Sequence, residues 1–74
     1  MFNLKILDMA EKRWGRDGYV VTVPDNYYWK EGSDGRVVIY GPDSSWREGS
    51  DGRVVEIPPG KGWYEDSEGR IVVN

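Results

Sequence analysis

Three serines, Ser33, Ser50 and Ser67, recur at equal spacing, each followed by an acidic residue, Asp34, Asp51 and Glu68. A serine beside a carboxylate suggests nucleophilic or acid–base chemistry, but a serine hydroxyl needs an adjacent base to become a nucleophile. The chain has no histidine and no cysteine. Each serine also stands before an acidic-Gly pair, which is turn chemistry, so the simplest role of the hydroxyls and carboxylates is to shape a chain reversal. The remaining regular carboxylates, Glu31, Glu48 and Glu65, are each followed five residues later by an arginine. Glu56 stands outside this pattern and is expected to face solvent. The expectation is a protein without catalytic activity. With neither thiolate nor imidazole, no metal site of the usual zinc kind and no cofactor are expected.

The other residues able to act on a ligand are aromatic. Four Trp, five Tyr and one Phe make up 14% of the chain. Trp29, Trp46 and Trp63 are separated by 46 − 29 = 17 and 63 − 46 = 17 residues. Each opens a nearly identical decamer: Trp29 to Val38, Trp46 to Val55 and Trp63 to Val72. A fixed period of this kind signals internal duplication. Trp14-Gly-Arg-Asp-Gly-Tyr-Val-Val21 reads as a fainter first copy, shortened by two residues between its Trp and its Asp-Gly. The expected architecture is all-β: an antiparallel meander of about four repeated β-hairpins, forming an open twisted sheet or a small barrel. Residues 1–74 form a single domain, because a chain this short cannot build two cores. Phe2 to Leu7 is read as a short strand, with a helix open as the alternative.

Within each unit an aromatic-bearing run and a β-branched run flank a Ser-Asp-Gly or Ser-Glu-Gly turn. Gly35, Gly52 and Gly69 are expected to take the positive φ that closes it. A four-residue loop would set Glu31 opposite Arg36, Trp29 opposite Val38 and Tyr27 opposite Tyr40. It gives every unit an ion pair and an aromatic–β-branched pair, each contributing roughly 0.2–1 kcal/mol. In that register the Trp residues share a face with Val21, Val38, Val55 and Val72, and they are expected to form the core. Thr22, Ile39, Glu56 and Val73 point the other way.

Gly62-Trp63-Tyr64-Glu65-Asp66-Ser67-Glu68-Gly69-Arg70 resembles the aromatic hairpins of choline-binding cell-wall repeats. Those family units are longer and carry a second aromatic where this sequence has Val or Ile. Ser-Asp-Gly-Arg-Val-Val is similar to the core of Rhs-type YD repeats, without their leading Tyr-Asp pair. Both resemblances cover the repeat core alone, and what they imply is the hairpin turn.

The net charge is −3, from 10 Lys+Arg against 13 Asp+Glu. An acidic surface disfavours nucleic acid and membrane surfaces as partners. The N-terminal segment has neither the apolar core of a signal peptide nor the length of a membrane span, so a cytoplasmic location is expected. The leading expectation is a protein-binding module, a small stoichiometric inhibitor of the phage or mobile-element type, whose partner is a protein with a basic surface. The candidate binding residues are Tyr27, Tyr28 and Tyr64, since Tyr is enriched at binding hot spots, with Asp34, Asp51 and Glu68. Two alternatives are a glycan or small cationic ligand on an aromatic ladder, and a homo-oligomer joined through edge strands.

Overall fold

The computed structural model describes residues 10–74. Eight strands follow in order: β1 Glu11–Trp14, β2 Val20–Val23, β3 Tyr28–Glu31, β4 Val37–Tyr40, β5 Ser45–Glu48, β6 Val54–Ile57, β7 Trp63–Glu65 and β8 Ile71–Val73. They pair only as consecutive antiparallel hairpins, giving four separate two-stranded sheets and no closed barrel. The all-β repeat of hairpins expected from the sequence is therefore the architecture. The strand or helix expected over Phe2 to Leu7 lies outside the described residues.

The turn chemistry explains each hairpin. Gly32 donates its N–H to the Arg36 carbonyl, and Gly35 donates to the Gly32 carbonyl. Gly35 has φ of 89°. This is a three-residue loop, Ser33-Asp34-Gly35, with the glycine forming a bulge. The same bonds recur at Gly49/Arg53/Gly52 and Asp66/Arg70/Gly69, with φ of 87° at Gly52 and 82° at Gly69. Asp34 Oδ1 accepts the Arg36 N–H, and Asp51 Oδ1 accepts the Arg53 N–H, both at 3.0 Å.

That loop corrects the expected register. Glu31 lies opposite Val37, Trp29 opposite Ile39 and Tyr28 opposite Tyr40; Glu48 faces Val54 and Glu65 faces Ile71. Glu31, Glu48 and Glu65 thus have no cross-strand arginine, and each Trp changes face relative to its expected neighbours. Side chains alternate along a strand, so Trp29, Glu31, Val37 and Ile39 share one face, here the rear. Tyr28, Lys30, Val38 and Tyr40 share the forward face. The first unit is corrected too. Gly15 donates to the Tyr19 carbonyl and Gly18 to the Gly15 carbonyl, which is the same loop in step with the 17-residue period. Nothing is missing from the unit: Trp14 stands where the later hairpins have Glu31, Glu48 and Glu65, and Lys12 stands where they have Trp.

Hairpins are linked by β-turns in which Tyr27 donates to Pro24, Ser44 to Gly41 and Lys61 to Pro58. They stack, the forward face of one against the rear face of the next, with β2 meeting β4, β4 meeting β6 and β6 meeting β8. The Cα trace measures 55 × 31 × 10 Å. A body this thin cannot enclose large side chains. Among the described residues the core is Val23, Val37, Val54, Ile57 and Ile71, at 4–9% exposure, and no side chain is completely enclosed.

Candidate functional site

Four repeated contacts hold consecutive hairpins together. Glu31 Oε2 accepts the Arg16 N–H at 3.0 Å, Glu48 Oε2 accepts the Ser33 N–H at 2.9 Å, and Glu65 Oε2 accepts the Ser50 N–H at 3.0 Å. In the same loops the N–H groups of Asp17, Asp34 and Asp51 donate to the carbonyls of Gly35, Gly52 and Gly69. The Arg13 guanidinium lies 4.9 Å from the Trp29 ring centroid, the Lys30 ammonium 4.7 Å from Trp46, and the Arg47 guanidinium 5.1 Å from Trp63. The valines and isoleucines of the second strands fill the space between. The Ser33 N–H holds the Glu48 carboxyl below its ordinary value, with the Ser33 hydroxyl and Lys30 adding to the effect.

A notch between the first hairpins is lined by Arg16, Glu31, Gly32, Ser33 and Glu48. Its polar groups are spent on one another: Arg16 pairs with Glu31 at 3.2 Å and donates to the carbonyls of Gly32 and Ser33. Glu56, expected at a solvent-facing position, accepts the Gly41 N–H at 3.1 Å in a half-buried setting. It joins the third hairpin to the turn before it.

The Trp row is also placed differently from expectation. Trp29 and Trp63 are 40% and 41% exposed, and Trp46 is half-buried. Each ring carries a cation from the preceding hairpin, so the row is a stacking device open along one side. Tyr27, Tyr28 and Tyr64 are 45%, 54% and 50% exposed. Tyr27 and Tyr28 sit together at the start of the second hairpin, where the Tyr28 and Tyr40 rings are 5.6 Å apart. Tyr64 belongs to the last hairpin and stands apart from them, at the position that carries the stacking cation in the other three. Asp34 and Asp51 close their own turns. Glu68 is 69% exposed and pairs with Arg70 at 2.9 Å.

The last hairpin departs from the others at one further place. Gly15, Gly32 and Gly49 lie against the next hairpin, and a Cβ on them would run into the carbonyl oxygens of Gly35, Gly52 and Gly69. The equivalent residue is Asp66. Its Oδ1 accepts the N–H groups of Glu68 and Arg70, both at 2.9 Å. The Glu68 N–H corresponds to those that Asp17, Asp34 and Asp51 send to a following hairpin. Asp66 therefore satisfies the end of the stack internally and blocks the approach of another unit. Terminal units of repeat proteins commonly differ in this way. The Arg70 N–H, foremost among several donors, holds the Asp66 carboxyl below its ordinary value.

The expected carboxylate–arginine ladder missed these inter-hairpin contacts. Their signal is the invariant order Trp-cation-Glu-Gly at 29–32 and 46–49, which one hairpin alone does not need. Among the described residues no group of three or more His, Cys, Asp or Glu is placed to hold a metal ion, and no helix is long and apolar enough to cross a membrane. Comparison with family models, curated proteins and solved structures gives no match to this chain.

Proposed function

We propose that this chain is a non-enzymatic, cytoplasmic protein-binding module that uses the aromatic side of the stack, the side formed by its first strands. The observation that carries this reading is exposure: seven of the nine aromatic residues within 10–74 are exposed, and six of them, Trp14, Tyr27, Tyr28, Trp29, Trp63 and Tyr64, lie on or directly before first strands, Tyr19 being the exception. Large rings left in water on a thin body offer contact area with little side-chain entropy to lose, and Tyr and Trp are favoured anchors of interfaces. The negative net charge favours a partner with a basic surface, as a stoichiometric inhibitor of phage or mobile-element type would have. A glycan or cationic ligand on the Trp row is the weaker reading, because Arg13, Lys30 and Arg47 already occupy a face of each ring.

Affinity capture with the intact chain tests the proposal. A partner retained at moderate salt should be released by Tyr28→Ala or Tyr64→Ala, each of which leaves the thermal melt nearly unchanged. A partner that binds both variants as well as the parent chain, or no partner at all, would overturn it.

A further inference from the structure

We infer that the row of second strands, β2, β4, β6 and β8, is a self-association edge at which two copies of this chain pair, level by level. Because the hairpins are four separate two-stranded sheets, every strand keeps one edge without a strand partner among the described residues. The Gly32 to Arg36 bond fixes which backbone groups point outward. Lys30 and Val38 bond across the hairpin, so Val37 and Ile39 direct their N–H and C=O groups away from it.

The two rows of edges are not alike. In the first strands eight of fifteen residues are charged; in the second strands Glu56 is the single charge among fifteen. Charged residues, lysine above all, are the usual protection of a strand edge against pairing, and proline and bulges are others. The second strands contain no proline and pair in unbroken register. They consist almost entirely of β-branched residues, the types best suited to a sheet. The protection is confined to one side.

A second copy is the occupant because of the repeat. An extended peptide can pair with one level, whereas another stack presents edges at the same four levels. A two-fold axis along the stack carries each hairpin to its own level and converts it to a four-stranded antiparallel sheet. Centred on Val21, Val38, Val55 and Val72, it sets Val37 opposite Ile39 of the second copy and Glu56 opposite Val54 of the second copy, so no like charges meet. Asp66 closes head-to-tail growth of the stack, and no comparable block stands on the second-strand edges of the described residues.

Sedimentation equilibrium of the intact chain and amide hydrogen exchange by NMR test this together. The expected mass is twice the 8.5 kDa of one chain, and the outward amides of Val37, Ile39 and Val54 should exchange more slowly than those of Trp29, Glu31 and Trp46. Thr22→Lys combined with Val73→Lys should weaken the dimer by about tenfold or more, one decade in Kd, while Ser45→Lys on the opposite edge leaves it unchanged. A monomer at every concentration up to about 1 mM, the limit of weak association, would overturn the inference. So would second-strand amides that exchange as fast as first-strand ones, a comparison made on the unsubstituted chain and independent of how the variants fold. A dimer that responds to Ser45→Lys and not to the double variant would assign association to the other edge, and overturns it equally.

Discussion

Gly49 and Asp66 occupy the same place in consecutive hairpins and have opposite requirements. At Gly49 the Gly69 carbonyl oxygen of the next hairpin fills the space a Cβ would need, and the obstacle is backbone that cannot rotate away. Gly49→Ala should therefore force the last two hairpins apart and cost about 1–3 kcal/mol, as overpacking does. Asp66→Ala meets no such obstacle; it should lower the melting temperature by removing the acceptor of the Glu68 and Arg70 N–H groups. Thermal melts of the two variants separate a packing clash from a lost cap, and an unchanged melt for Gly49→Ala would show that the hairpins are not pressed together there. The carboxylates also set an acid limit. Glu48 and Asp66 both have lowered pKa values, each chiefly from a backbone N–H bond, so the folded chain binds fewer protons than the unfolded one in the acid range. Their contribution is complete above the ordinary carboxylate pKa and disappears as pH falls through the depressed values. Melting temperature should hold steady from neutral pH down to about pH 5 and fall below about pH 4. In Glu48→Gln the fall should be shallower, and an identical acid limb would remove Glu48 from the account.

At the scale of the hairpin, the turn residues were legible and the register was not. Ser-Asp-Gly announces a reversal with a positive-φ glycine, and Gly35, Gly52 and Gly69 adopt it. The recurrence of Glu31 with Arg36, however, suggests a cross-strand ion pair only if the hairpin is considered alone. In the stack Glu31 serves the Arg16 N–H of the preceding hairpin, so the residue recurs because the interface recurs. The same reason places the Trp row outside a core: each ring packs on a cation 16 residues earlier in the sequence, Arg13, Lys30 or Arg47. A half-exposed ring forfeits less on truncation than an enclosed one. Trp46→Ala should cost about 2–3 kcal/mol, below the ~3–5 kcal/mol of a fully buried Trp, and Lys30→Ala about 0.5–1 kcal/mol from the cation–π contact. Because the two side chains touch, the double variant should cost less than the sum of the two. Chemical denaturation of all three variants measures this, and strict additivity would mean that the ring and the ammonium do not interact.

At the scale of the whole molecule, each hairpin touches only its neighbours, so stability is a sum of hairpin terms and interface terms, as in other stacked repeats. The 17-residue period revealed the number of units, but not that they stack as separate sheets, because face-to-face packing is carried by residues whose partners lie in the next copy. This arrangement predicts opposite results for two chains of equal length. Inserting a second copy of residues 41–57, one connecting turn and one complete hairpin, after Ile57 creates one more internal interface: Gly at the close approach, Glu for the loop N–H, a cation for the Trp. The melting temperature should rise, and the dependence of unfolding free energy on denaturant should increase by roughly a quarter, in proportion to the surface exposed. The same seventeen residues appended after Asn74 meet the last hairpin instead, where Asp66 fills the glycine position and satisfies the Glu68 N–H itself, and where Tyr64 replaces the cation. The appended unit should remain undocked and leave both quantities near those of the parent chain. Combining it with Asp66→Gly and Tyr64→Lys restores the missing features, and the added unit should then stabilise as the inserted one does. If the appended unit raises the melting temperature with Asp66 and Tyr64 still in place, the last hairpin is not a cap.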